Sequence, residues 1–231
     1  GSTGGAKKRA PLVDEAGLSL IRERMEAYDS AREQVIKRSR DGQKAAKQAI
    51  YCLHRNDVSK AAAQLSLCEQ VIAELLPAVT SRKGLRQGSF SGVCEEYAEA
   101  KLFAIWLSER RVLSLAELTP CNAAEYIGGL CDLTGEIGRF AVKAGTARDS
   151  KTVAECLETD LAIASVLQQL PLPGKTLKKL GPLAQSTAKL ESMLYELSLL
   201  EWGRTLPSEV VAPDAVASTG GGGGDDAGAE K

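Results

Sequence analysis

The sequence is poor in aromatic side chains, at 4% of 231 residues, and it holds a single histidine. With so few rings, a core must be built mainly from Leu, Ile, Val and Ala, a mixture that favours helices over strands. No alternating run of Val, Ile or Thr bounded by turn residues is present, which argues against a sheet. The solitary His54 excludes a metal-free ribonuclease centre that uses two histidines as acid and base. The six cysteines contain no Cys-x-x-Cys pair, so a zinc centre has no ligand spacing to rest on. They lie mostly in apolar helical stretches and read as reduced core residues of a cytoplasmic or nuclear protein. No Gly-x-Ser-x-Gly word, P-loop or dinucleotide-binding glycine fingerprint occurs. No apolar run approaches the roughly 20 residues of a membrane span, and no signal-peptide core is visible near the start.

What is present is helical periodicity over most of the chain. From about Asp14 to Arg55 the apolar positions Leu18, Ile21, Met25, Tyr28, Val35, Ile36, Ala45, Ala49, Ile50 and Leu53 recur at steps of three and four. Beyond Gly17 in the opening turn, Gly42 is the sole interruption, so a first helix of roughly 60 Å is expected. Asp57 or Ser59 can cap a second helix over about Val58–Leu76, with Pro77 and Gly84–Gly88 marking a loop after it. Further helices are expected over about Ser89–Glu109, Asn122–Lys143, Ser150–Gln169 and Thr176–Trp202, the last irregular around Gly181-Pro182. The expected architecture is all-α, a bundle of six to seven helices. Residues 1–12 read as a disordered basic leader, 13–204 as the helical domain, and 205–231 as a disordered, Gly-rich, acidic tail.

Net charge is −1, but it is unevenly spread. Lys37, Arg38, Arg40, Lys44, Lys47, Arg55 and Lys60 face only Asp41 and Asp57 in their stretch. Such a run is ordinarily the solvated side of a long helix; alternatively it is a phosphate-contacting face. Two apolar helical segments also carry paired acids. Glu96 and Glu99 are three apart, and Asp132 and Glu136 four apart, so each pair shares a helix face. Spacing of this kind is common on solvated helices. However, Gly128, Gly129 and Gly135 lie in the second segment, and each glycine costs a helix interior about 1 kcal/mol. Close approach of another backbone or a ligand would repay that. Converging carboxylates suit hard divalent cations, or they can form an ion-pair network with Arg139 or Lys101.

The words around these acids carry a resemblance. Lys37-Arg38-Ser39-Arg40-Asp41, Ile50 to Arg55, Glu95-Glu96-Tyr97-Ala98-Glu99-Ala100 and Glu125 to Glu136 resemble the translin/Trax family, the Trax branch more than the translin branch. The likeness covers about residues 15–204, and Asp132-Leu133-Thr134-Gly135-Glu136 is its most specific word. It implies a translin-like helical fold assembled into octamers, either with copies of itself or with a translin subunit. It further implies a Mg²⁺-dependent endoribonuclease, with Mn²⁺ as a substitute, acting on single-stranded or partly paired RNA. Glu96, Glu99, Asp132 and Glu136 would be its catalytic and metal-holding acids, and Arg38, Arg40, Lys44, Lys47 and Arg55 its RNA contacts. The alternative within the same family is a non-catalytic subunit that binds RNA or single-stranded DNA, with no membrane role.

Overall fold

The computed structural model describes residues 12–172 and 174–205. Seven α-helices follow one another: α1 (Glu15–His54), α2 (Val58–Ser81), α3 (Ser89–Glu109), α4 (Ala123–Thr146), α5 (Ser150–Gln168), the short α6 (Gly174–Leu177) and α7 (Leu180–Thr205). Single 3₁₀ turns precede α3 at Lys83–Arg86 and α4 at Leu115–Glu117. Among the described residues there is no strand, and no helix is long and apolar enough to cross a membrane. The fold is all-α, as the residue pattern predicts. The expected disordered segments, 1–12 and 205–231, lie outside the described residues apart from Leu12 and Thr205.

Local chemistry starts the helices where the sequence places them. The Asp14 carboxylate accepts from Gly17 N at 3.0 Å, and Asp57 from Lys60 N at 3.3 Å. Asn122 and Glu125 form a reciprocal capping box at the head of α4, each accepting the other's backbone N–H at 2.9 Å. Two boundaries differ from the sequence reading. Pro77 does not end α2, which runs on to Ser81. A proline inside a helix costs about 3 kcal/mol, but burial of Leu75 and Val79 on either side rewards continuation. The first half of α1 is helical as expected but is not packed on the bundle. Leu18, Ile21 and Met25 remain 50%, 52% and 63% exposed, and α1 has no buried residue before Val35.

α3 is the centre of the bundle. It buries Phe90, Phe103 and Trp106 completely, three of the largest side chains in the chain. Trp106 packs edge-on against Phe140 of α4, and its indole N–H donates to Thr159 of α5 at 3.1 Å. α1 lies along α2 and α3, α4 crosses α3, and α5 and α7 close the far side of α4. All six cysteines are free thiols, and four of them are buried.

One of the buried acids is enclosed far from any ion-pair partner among the described residues. Asp160 of α5 is fully buried; Ser186 of α7 donates to its Oδ2 at 3.0 Å, and its Oδ1 has no partner. Burial pushes this carboxyl up to about 7 from the usual 3.8. The folded chain therefore keeps a proton that the unfolded chain releases near 3.8, so stability is lost as pH rises through this window to about 7. Asp160→Asn is expected to raise stability at pH 8 by on the order of 3 kcal/mol, the difference shrinking as pH falls toward 5. Thermal or urea unfolding of both proteins at a series of pH values checks this; a pH-independent difference contradicts it.

Candidate functional site: an acidic cleft between two helices

The glycines of α4 decide how close α3 can come. A Cβ on Gly129 would lie 2.7 Å from Ala98 Cβ, 2.8 Å from Glu99 N and 2.9 Å from Glu95 O. A Cβ on Gly128 would meet the Glu95 carboxyl group at 2.5 Å. Both positions thus receive α3 directly, which repays their helix cost. Gly135 differs: nothing lies within 4 Å of its missing Cβ. It borders a cavity of about 270 Å³, lined also by Glu99, Asp132, Arg139, Lys179 and Ser186.

This crossing gathers the acids of α3 with Asp132 of α4. Glu99 is 8% exposed, lines the cavity, and among the described residues has neither a hydrogen-bond nor an ion-pair partner. Burial, reinforced by the negative charges of Asp132 and Glu96, pushes its carboxyl up to about 7. The other acids are held by cations of the chain. Lys47 of α1 approaches Glu96 at 3.1 Å. The Lys179 ammonium, from the link between α6 and α7, donates to Asp132 at 2.6 Å and to Glu95 at 2.5 Å. Glu136 is buried but is not among the residues lining the cavity; it bonds His54 Nε2 at 2.6 Å and Arg139 Nε at 2.9 Å. His54 also leans on the Phe103 ring, 4.8 Å between centroids, which sets its orientation. Among the described residues, no three His, Cys, Asp or Glu side chains stand together at metal-binding geometry. Glu99 is within electrostatic reach of both Glu96 and Asp132, while Glu136 is turned toward His54 of α1. Of the two anticipated cationic partners, Arg139 does pair with Glu136, whereas Lys101 pairs with Glu69.

The basic residues divide. Arg38 faces α2, where its guanidinium bonds Glu74 at 2.6 Å and Asp41 at 2.7 Å. Arg40, Lys44, Lys47 and Arg55 are exposed. At 100° per residue they fall within an arc of about 80° on α1. Tyr51 lies in the same stripe, 62% exposed, with the Arg55 guanidinium 5.4 Å from its ring centre. Lys47 joins this stripe to the acids through Glu96. Sequence reasoning passed over Glu95, Tyr51 and Lys179 as functional residues. Glu95 stands beside Glu96 in the Glu-Glu-Tyr word and could have been read. Lys179, 84 positions from Glu95, carries no local signal.

A helical bundle whose second half wraps a carboxylate-lined cleft, with a basic stripe beside it, defines the class. The Translin family profile matches residues 30–200, and the chain belongs to that family. Among curated proteins it is similar to the Translin-associated protein X homolog of Schizosaccharomyces pombe, 29% identical over 208 residues, covering 82% of this chain and 90% of that one. Its fold matches the crystal structure of apo-NeC3PO with a TM-score of 0.73 at 17% identity, covering 81% of this chain and all of the other. AfC3PO in complex with duplex RNA matches with a TM-score of 0.69 at 22% identity, over 80% of this chain and 98% of the other.

The glycines provide a paired test of the crossing. Gly129→Ala is expected to destabilise the chain by about 1–3 kcal/mol, because backbone atoms of α3 cannot yield to the new methyl group. Gly135→Ala, pointing into open space, is expected to stabilise it by roughly 0.5–1 kcal/mol through helix propensity. Urea unfolding of the two variants beside the parent measures both, and equal effects would remove the crossing as their cause.

Proposed function

We propose that this chain is the catalytic type of Translin-family subunit, a divalent-cation-dependent endoribonuclease acting on single-stranded or partly paired RNA within a translin-type octamer. The observation that carries this reading is Glu99, a buried carboxylate with no hydrogen-bond or ion-pair partner among the described residues, facing a cavity beside Asp132 and near Glu96. An uncompensated buried acid is costly, and a divalent cation offsets that cost. Mg²⁺ or Mn²⁺ suits the donor set, which is oxygen only. The residues fit such an ion in chemistry, and the chain's own ammonium from Lys179 already lies against two of the acids.

Glu96, Glu99 and Asp132 would hold the ion, with Glu136 behind them. Bound there, a divalent ion supplies an activated water and neutralises charge on the leaving oxygen of the phosphodiester. His54 and Arg139 fix the Glu136 carboxylate from two sides, limiting its rotation. Arg40, Lys44, Lys47 and Arg55 contact phosphates without reading sequence. Tyr51 offers a ring face on which a base can stack. Because Lys47 belongs to both the stripe and the cleft, a strand tracking along α1 passes beside Glu96.

A specific observation favours the second reading, a non-catalytic subunit that binds RNA or single-stranded DNA. Glu96, Asp132 and Glu136 are each already paired within the chain. That reading needs the basic stripe but not the acids.

Incubation of the purified chain, with and without a translin subunit, with a labelled single-stranded RNA in Mg²⁺ or EDTA separates the two. Cleavage in Mg²⁺ and none in EDTA is expected. Glu99→Gln and Asp132→Asn should each slow cleavage on the order of a hundredfold or more, the scale of charge stabilisation a metal centre supplies. Both variants should keep their helical circular dichroism and their RNA affinity. RNA binding without cleavage in Mg²⁺ selects the scaffold reading, and cleavage surviving in EDTA eliminates the metal.

Within the stripe, Lys44→Ala should weaken RNA binding across all sequences and lower the salt slope by about one. Tyr51→Ala should cost about 1–3 kcal/mol on single strands. Arg38→Ala should leave RNA affinity unchanged, because that side chain is committed to Glu74. Fluorescence anisotropy at several salt concentrations checks all three.

A further inference from the structure

Lys179 lies on no helix of its own, between α6 and α7, yet its side chain reaches the middle of the α3–α4 crossing. Its Nζ stands 2.5 Å from Glu95 Oε1, 2.6 Å from Asp132 Oδ2 and 3.4 Å from the Gly128 carbonyl oxygen. The two carboxylate oxygens are therefore at most 5.1 Å apart, the sum of 2.5 and 2.6 Å. An octahedral Mg²⁺ or Mn²⁺ holds oxygens at about 2.1 Å, so two of its ligands are separated by up to roughly 4.2 Å. An inward shift of about an ångström would bring Glu95 and Asp132 onto one ion, once the ammonium has left. The ammonium and the ion cannot both lie between the same oxygens. Lys179 is only part-buried, with its side chain 27% exposed, so it can turn out to water without stranding its charge. Glu99, buried and without a hydrogen-bond or ion-pair partner among the described residues, lines the same cavity and feels Lys179 only at a distance while that ammonium is bonded to its two neighbours.

We propose that Lys179 is an internal counter-ion of the cleft, occupying the divalent-cation position between Glu95 and Asp132 and so setting the cation concentration needed to fill it. The inference rests on the metal-dependent reading above and adds two residues to it. Lys179 competes with the ion, and Glu95 joins the carboxylates that receive it. A chain with its lysine in place keeps a low charge in the cleft without metal, at the expense of affinity.

The test is Mn²⁺ binding to the full chain by calorimetry at fixed ionic strength, comparing the parent, Lys179→Met and Lys178→Met. Lys178 is the exposed neighbour and controls for the loss of one positive charge. Lys179→Met is expected to bind Mn²⁺ on the order of tenfold more tightly, two charge-assisted hydrogen bonds no longer having to be broken. Lys178→Met should stay within about twofold of the parent, because exposed charges are screened. If the parent binds Mn²⁺ and Lys179→Met binds it no tighter than Lys178→Met does, the counter-ion role is overturned and the metal reading stands. If none of the three binds Mn²⁺, both fall. Thermal unfolding gives a second readout independent of activity. Without Mn²⁺, Lys179→Met should melt below the parent, since Glu95 and Asp132 lose their partner. With Mn²⁺ it should gain more in melting temperature than the parent does. An equal or smaller gain overturns the proposal.

Discussion

Gly129 has no side chain, and α3 passes where one would be. The Ala98 methyl, the Glu99 amide nitrogen and the Glu95 carbonyl oxygen all come within 2.9 Å of the position its Cβ would take. The cleft depends on this approach. It sets Glu95, Glu96 and Glu99 of one helix beside Asp132 of the next, and it is held by the aromatic packing of Phe103, Trp106 and Phe140. Had Gly129 been a larger residue, the helices would separate and the acids would face water as ordinary surface charges. The energetic logic is a local one, in which a helix gives up propensity at two glycines and recovers it in backbone contact.

Bringing carboxylates together creates a charge problem, and the remainder of the site is its solution. Lys47, Arg139 and Lys179 come from three different elements, and His54 from the end of α1. They pair with four acids, Glu95, Glu96, Asp132 and Glu136, and leave the fifth, Glu99, the most enclosed acid facing the cavity, without a direct partner among the described residues. That is where burial raises the carboxyl toward neutral pH. A cleft in which every acid but one is paired, and in which one ammonium serves two carboxylates, is poised toward an added cation, which gives the Translin-family assignment a chemical content beyond the fold. The solved structures at 17% and 22% identity share that fold; the charge pattern belongs to this chain's own residues.

Helix positions were legible in the sequence because they follow from periodicity and from caps that act within four residues, such as Asp14, Asp57 and Asn122. Pro77 was misread as a stop, since its local cost is visible while the burial of Val79 is not. The stripe Leu18, Ile21 and Met25 reads as a core face by the same periodicity, yet none of the described residues buries it. The small residues of α4 pointed to a close approach, correctly for Gly128 and Gly129, whereas Gly135 opens on the cavity. Arg38 and Arg40 look equivalent along the chain. Two positions along a helix is about 200° around it, so one pairs with Glu74 and the other faces solvent.

By itself the sequence determined the helical class, the order of the elements and the identity of the acid words, because these rest on spacing within a few turns. Only the tertiary structure decided which charges meet. His54 and Glu136 are 82 positions apart, and Lys179 and Asp132 are 47 apart, with no pattern linking them. The distinction between Glu99 and its paired neighbours arises likewise from burial, which depends on three helices and the link before α7 closing over one side chain. A carboxylate's chemistry follows from its solvent and its nearest charges, and both are properties of the packed bundle.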